Sequence, residues 1–176
     1  MQITARSEYA LRATAVLAAR TPDRVSLGEL SDDQHLPRPF LEQIFAELRR
    51  ARLVQSWRGP HGGYALGRPA AQISLGDVIR AVDGELTEVR GQLPADLAYS
   101  GSAAALSQVL QAVDISVRRV LDATTLENLA AGRLPSHVQR LLSASRDDRP
   151  TAGRPTGSPQ RPARPPSPPA QRQSDR

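Results

Sequence analysis

Residues 39–66, PFLEQIFAELRRARLVQSWRGPHGGYAL, restrict the possible folds more than any other stretch, because the hydrophobic period changes partway along them. Phe40, Leu41, Ile44, Phe45 and Leu48 recur at three-and-four spacing, as on one face of a helix, while Glu42, Gln43, Ala46, Glu47, Arg49 and Arg50 fall on the other. The spacing predicts a helix with one face packed and one face free. Residues 53–58 then mix valine and tryptophan with polar residues in a strand-like run, Gly59-Pro60-His61-Gly62-Gly63 permits a tight reversal, and Tyr64-Ala65-Leu66 returns. A helix with a free polar face, beside a hairpin with arginine at its tip, has the outline of a winged DNA-binding module.

The preceding segments complete a helix-turn-helix. Residues 7–20 are rich in alanine and leucine, with Ala10, Ala13, Thr14, Val16 and Leu17 giving a packed stripe, and Thr21-Pro22-Asp23 ends this first helix. Ser26-Leu27-Gly28-Glu29 fits a capping box, so a second helix starts near Ser26, buries Leu27 and Leu30, and stops near Gln34. The prolines of His35-Leu36-Pro37-Arg38-Pro39 forbid its continuation and then suit the first turn of the next helix. A short helix, a tight break and a second helix with a polar face make the motif.

Downstream of the hairpin, Ser74-Leu75-Gly76-Asp77 caps a fourth helix that buries Leu75, Val78, Ile79 and Val82 before Gly84. Over 85–101 the pattern dissolves around Gly91, Pro94 and Gly101, and a long mobile connection is expected. Leu106, Leu110, Val113, Val117 and Val120 then follow four-three-four-three spacing, the narrow seam that two helices share side by side, which makes them the candidate dimerisation residues. A helix over 102–122 would be about 30 Å long at ~1.5 Å per residue. Thr124 and Glu127 offer a cap for the short segment TLENLAAG, and 136–142 adds a last turn or two. Beyond Ser145, eight prolines from Pro150 to Pro169 and many arginines leave almost nothing apolar to bury, so a disordered tail is expected. The expected organisation is a mainly α chain: a winged helix-turn-helix domain over 1–84, a flexible connection over 85–101, a dimerisation helix with short helices over 102–144, and the tail over 145–176.

Composition narrows the function. Aromatic residues make up only 3% of the chain, so the core must be Leu, Val, Ile and Ala, which favours helices. All 23 basic residues are arginine, and against 18 acids the net charge is +5, a balance suited to a polyanionic partner. The absence of cysteine removes disulfides, cysteine-ligated clusters and thiol sensing together. No apolar run approaches the ~20 residues that span a bilayer, and MQITARSEYA has no signal-peptide core, so a cytoplasmic location is expected. His35, His61 and His137 sit far apart, no serine has a nucleophile-elbow setting, and 59–63 lacks the lysine of a phosphate loop. No enzyme activity, metal or cofactor is expected.

TARSEYALRA near the start, FLEQIFAELRRARLVQSWRGPHGGYALGRPA in the middle, and ISLGDVIRAVDG and VLDATTLENL further on resemble, in this order and spacing, the Rrf2 family of bacterial winged helix-turn-helix transcription regulators over residues 1–134. The wing RGPHGGYALGRP followed by ISLGDVI is the most specific part. The resemblance implies a homodimer held by the helix near 106–121, presenting two wings and two recognition helices to a pseudo-palindromic operator, more often as a repressor than as an activator. Family members respond to iron-sulfur status, nitric oxide, redox cofactors or cysteine supply. Cluster-binding members carry three cysteines where this chain has VRGQLPADLAYSGSAAAL, so a cysteine-ligated cluster is excluded here. Glu8, near a position that some of those members use as a ligand, reads instead as a first-turn helix acid. His61 stands where the wing turn is usually glycine, and Arg52 replaces the usual glycine of the segment entering the wing.

The DNA-binding expectation is therefore specific. Arg38, Arg49, Arg50 and Arg52 sit at the ends of the recognition helix, where cations clamp phosphates on either side of a groove. Glu42 and Gln43 face outward in the middle, where a carboxylate accepts from cytosine N4 and an amide pairs with adenine. Arg58 at the wing suits a narrow minor groove, with Gly59, His61, Gly62 and Gly63 shaping the tip. The competing reading for Glu42 is an ordinary ion pair with Arg38 or Arg49, and Trp57 and Tyr64 read as residues that pack the wing. The expected partners are double-stranded DNA and a second copy of the chain, with a small molecule or another protein as effector. The alternative is a protein-interaction module, or a regulator gated by a protein partner.

Overall fold

The structure, a computed structural model, describes residues 3–59 and 61–147. Its elements are α1 Ala5–Ala19, α2 Leu27–Gln34, α3 Arg38–Arg50, β1 Val54–Trp57, β2 Gly63–Leu66, α4 Leu75–Asp83, α5 Leu106–Leu121, α6 Leu126–Ala130 and α7 Ser136–Asp147. Pro60 and residues 148–176, which include nearly all of the proline-rich tail, lie outside the described residues.

Side-chain caps decide where several helices begin. At α2 the Ser26 hydroxyl accepts from the Glu29 amide at 3.2 Å while the Glu29 carboxylate accepts from the Ser26 amide at 2.8 Å. The Ser26 backbone bond is the chief reason that the Glu29 carboxyl lies below its ordinary range. Ser74 and Asp77 repeat the box at α4. At α6 the cap is Thr125 with Asn128, one residue later than the expected Thr124 with Glu127. Thr124 is already committed: its hydroxyl donates to the Val120 carbonyl at 2.7 Å and helps to close α5.

Helix α1 is the hub, packing against α3, α4 and α6. Ala10, Ala13 and Leu17 from α1 meet Leu30 from α2, Leu41, Ile44, Phe45 and Leu48 from α3, Val54 from β1, Val78 from α4 and Leu126 from α6 in one core. The small residues of α1 let its neighbours approach closely, which is why a core poor in aromatic rings still closes. Leu126 enters this core although α5 intervenes in sequence, because the Leu126 amide donates to Ile73 at 2.9 Å and the Leu75 amide to Thr124 at 2.9 Å. Four expected core residues differ: Val16, Leu27 and Leu75 are half-buried, and Phe40 stays 48% exposed. Phe40 lies at the edge of the apolar stripe of α3, where the Tyr9 ring meets it nearly at right angles with centroids 6.3 Å apart.

The connection over 85–101 is anchored although it has no period. Leu86, Thr87, Pro94 and Leu97 are buried. The Thr87 hydroxyl donates to Asp114, and Arg118 bridges Asp114 at 2.9 Å and Glu85 at 2.9 Å. Helix α5 begins later than expected, after a short 3-10 turn at Gly101–Ala103, and buries none of its residues. Helix α7 runs further than expected, to Asp147.

Candidate nucleic-acid interface

The break between α2 and α3 is made by backbone geometry that the prolines alone do not supply. His35 closes α2 in the left-handed region at φ 52°. The Leu36 amide then donates to the Ser31 carbonyl at 3.0 Å, and the Ser31 hydroxyl donates to the Leu36 carbonyl at 2.7 Å. Leu36 is buried, which pins the turn from beneath. Pro37 then leads into α3 with extended angles, φ -65° and ψ 119°.

With Leu41, Ile44, Phe45 and Leu48 fully buried, the helical period forces the other face outward. Arg38, Glu42, Gln43, Ala46, Arg49 and Arg50 are all exposed. Glu42 pairs with Arg38 at 3.6 Å, so the competing ion-pair reading is realised in the unbound chain. An exposed pair of this i,i+4 kind contributes only about 0.3–0.5 kcal/mol, so it does not prevent either side chain from turning to a base or a phosphate.

At the far end of α3 the chain reverses in a Schellman motif. The Leu53 amide donates to Leu48 at 2.9 Å and the Arg52 amide to Arg49 at 3.0 Å. Arg52 occupies the left-handed position at φ 58°, which explains why glycine is usual there and leaves its guanidinium exposed at the mouth of the wing. Arg49, Arg52, Gln55 and Trp57 line a groove of about 520 Å³ between the end of α3 and β1.

The wing is a two-stranded antiparallel hairpin with Val54 opposite Leu66 and Trp57 opposite Gly63. Gly59 takes φ 101° in its turn, and a Cβ on Gly62 would lie 2.4 Å from the Trp57 carbonyl oxygen, so neither position admits a side chain without distortion. Arg58, Gly59 and His61 are exposed at the tip, Gly62 is half-buried and Gly63 is buried at the start of β2. Tyr64 meets Phe45 edge-on at 4.6 Å, fixing the hairpin to the core side of α3.

Two contributions are missing from the sequence reading. The Val25 and Tyr64 backbones pair at 2.9 and 2.8 Å, giving the wing a third strand-like edge. This brings the Arg24 guanidinium 4.2 Å above the Trp57 ring. Arg6 of α1 reaches Glu47 of α3 at 2.6 Å. Neither carries a sequence signal, because each depends on a long-range pairing. The candidate dimerisation residues all lie on α5: Leu106 and Val113 are 41% and 48% exposed, and Leu110, Val117 and Val120 are half-buried.

The arrangement offers hydrogen-bonding side chains in the middle of an exposed helix with fixed positive charge around them. Guanidinium groups neutralise phosphates, and a carboxylate and an amide can discriminate base edges.

Comparison with known proteins agrees with this geometry. The Rrf2 family model, described as an iron-dependent transcriptional regulator, matches residues 3–132. An HTH-type transcriptional regulator of Mycobacterium tuberculosis strain H37Rv is 45% identical over 142 residues, covering 80% of this chain and 88% of the relative. The IscR regulator of Sodalis glossinidius is 37% identical over 152 residues, covering 86% and 88%. Among solved structures, CymR, the global cysteine regulator of B. subtilis, matches with a TM-score of 0.64 at 32% identity, covering 74% of this chain and 97% of that one.

The iron in the family description finds no matching ligands here. The chain has no cysteine, and among the described residues no three His, Asp or Glu side chains gather to hold an ion. Glu8 lies in the first turn of α1, exposed and paired with Arg12 at 3.2 Å. The winged helix-turn-helix fold, the charge around α3 and the match over residues 3–132 together place this chain in the Rrf2 family of DNA-binding transcription regulators.

Proposed function

We propose that the protein is a homodimeric repressor that reads a pseudo-palindromic operator and acts in the cytoplasm. The observation that carries the reading is the free face of α3, where exposed Glu42 and Gln43 lie between Arg38 at one end and Arg49, Arg50 and Arg52 at the other. Glu42 and Gln43 enter the major groove, the flanking arginines hold phosphates, and Arg58 reaches the minor groove beside it, with Gly59, His61, Gly62 and Gly63 shaping the wing for close approach. Two-fold pairing is supported by the uncovered apolar residues of α5, among them Leu106 and Val113. It is supported too by an apolar groove of about 500 Å³ on α1 and α6, lined by Leu11, Val16, Leu75 and Leu129. Repression rather than activation rests on the family resemblance alone, since its members more often repress. An effector, whether small molecule or protein, would act through the 85–101 connection, since that segment is tied to α5 by Asp114 and Arg118.

The test is selection of bound duplexes from a random pool by the full chain, followed by affinity measurements on the selected site. Half-sites should lie about 10 bp apart or a multiple of that, and affinity should fall steeply between 50 and 200 mM salt, as expected where several phosphates are neutralised. Arg58→Ala should weaken binding to the selected site severely. Glu42→Ala should relax preference at one position of each half-site by about 1–3 kcal/mol with less effect on nonspecific binding. Unchanged preference would remove Glu42 from the reading set, and failure to retain any duplex would remove the proposal.

A further inference from the structure

Among the described residues from α1 to α4, Phe40 is the one large apolar side chain left about half in water, at 48% exposure. The other large exposed apolar residues lie at Ile3 or from Leu93 onward. Phe40 is in the first turn of α3, the end from which helix-turn-helix recognition helices contact base edges. Its ring is only partly covered: Tyr9 meets it edge-on, with centroids 6.3 Å apart and planes at 78°. A phenyl ring makes no hydrogen bond and attracts no phosphate, so its exposed face calls for an apolar group. The major groove offers one such group, the 5-methyl of thymine.

Gln43 supplies the register. It stands three residues after Phe40 and is exposed, so the two side chains are neighbours on the helix surface. They are separated by about 4.5 Å along the axis, at ~1.5 Å per residue, which is close to the ~3.4 Å rise between stacked base pairs. An amide suited to adenine and a ring suited to a methyl, one base step apart, together fit an A·T pair or two adjacent ones. We propose that Phe40 is a specificity-determining residue that packs on a thymine methyl in the major groove beside the base read by Gln43. The assignment rests on the DNA-binding reading above.

The experiment replaces single thymines of the selected duplex by deoxyuridine, which deletes the methyl and leaves every hydrogen bond intact. Full-length wild type should lose about fourfold in affinity for each contacted methyl removed, the loss expected for one buried methyl group, and so about fifteenfold when that position is replaced in both half-sites. Phe40→Ala should bind the thymine and deoxyuridine duplexes equally, at the level of wild type on deoxyuridine, while staying folded with a melting temperature lowered only by the half-buried part of the ring and keeping its binding to nonspecific duplex at low salt. Phe40→Leu, which keeps apolar bulk, supplies the comparison if the alanine variant does not fold, and should retain part of the methyl dependence. Wild type indifferent to every thymine replacement, or a variant with the same methyl dependence as wild type, overturns this contact while leaving the regulator reading in place. Failure of the wild type to retain any duplex overturns both.

Discussion

The winged body and helix α5 carry comparable apolar stripes, but only one of them closes over its own. In the winged body Leu17, Leu30, Leu41, Ile44, Phe45, Leu48 and Leu126 are essentially without solvent exposure. Helix α5 presents Leu106, Val109, Val113 and Ile115 to solvent and buries none of its residues. Leu110, Val117 and Val120 are half-buried, and polar bonds add to the attachment of α5: Arg118 bridges Asp114 and Glu85, and just past the helix Arg80 bridges Asp77 and Asp122 at 3.3 and 2.8 Å. The same period-based pattern thus marks a finished core in one region and an uncovered apolar face in the other. Periodicity identifies the face that must leave water but not what covers it.

The comparison breaks most decisively if the core of the winged body proves dispensable. Phe45→Ala removes a fully buried ring that also meets Tyr64, and should cost about 3–5 kcal/mol. That is a large part of the ~5–15 kcal/mol that typically holds a domain folded. Thermal melting followed by circular dichroism should show a loss near the limit of folding, whereas a wild-type melting curve would contradict the core as described. The mirror experiment is Val113→Arg on α5. Val113 is 48% exposed in the single chain, so the charge should leave the winged body within about 0.5 kcal/mol of wild type yet turn dimers into monomers in sedimentation velocity. Operator affinity should then fall by about a hundredfold or more as the second half-site is lost. A variant that stays dimeric would move the interface away from this seam.

How much of this was legible in the sequence follows from the same distinction. Local signals read well: the Ser26 and Ser74 capping boxes, the buried face of α3 and the glycine-turned wing appear where spacing and residue type place them. Long-range events did not show. Phe40 fits the apolar period of α3 and still emerges, because the edge of a stripe is covered only if a neighbouring element reaches it, and here Tyr9 reaches it edge-on. Thr124 and Thr125 are adjacent and chemically identical, so which one caps α6 depends on whether a hydroxyl is already bonded to the preceding helix, as Thr124 is. The 85–101 segment looked featureless because its anchors, Leu86, Thr87, Pro94 and Leu97, are isolated burials with no repeat to count. For the interface, residue type and position named Arg38, Glu42, Gln43 and Arg58, all of them exposed, but Arg24 lies beside Trp57 through a strand pairing that no local pattern announces.

The smallest expected effect lies in the polar tether. Burial pushes the Asp114 carboxyl upward, but the Thr87 hydroxyl and the Arg118 guanidinium outweigh it and hold the group below the ordinary carboxylate range. A folded-state pKa below the unfolded one means that the ionised form is favoured by folding. The tether therefore stabilises above the ordinary aspartate pKa of about 3.9 and weakens as pH falls through the lower folded value. Asp114→Asn should cost on the order of 1 kcal/mol at neutral pH, less than a fully buried charged hydrogen bond because solvent reaches the pair. The gap between wild type and variant should narrow in melts taken below about pH 4. The effect should also be local. In hydrogen exchange at neutral pH, the amides of 86–97 and α5 should exchange faster in Asp114→Asn while those of α3 stay as protected as in wild type, since Leu41, Ile44 and Leu48 draw nothing from the tether. Equal acceleration in α3 would mean that the polar attachment of α5 supports the winged core, and the two regions would have to be treated as a single cooperative unit.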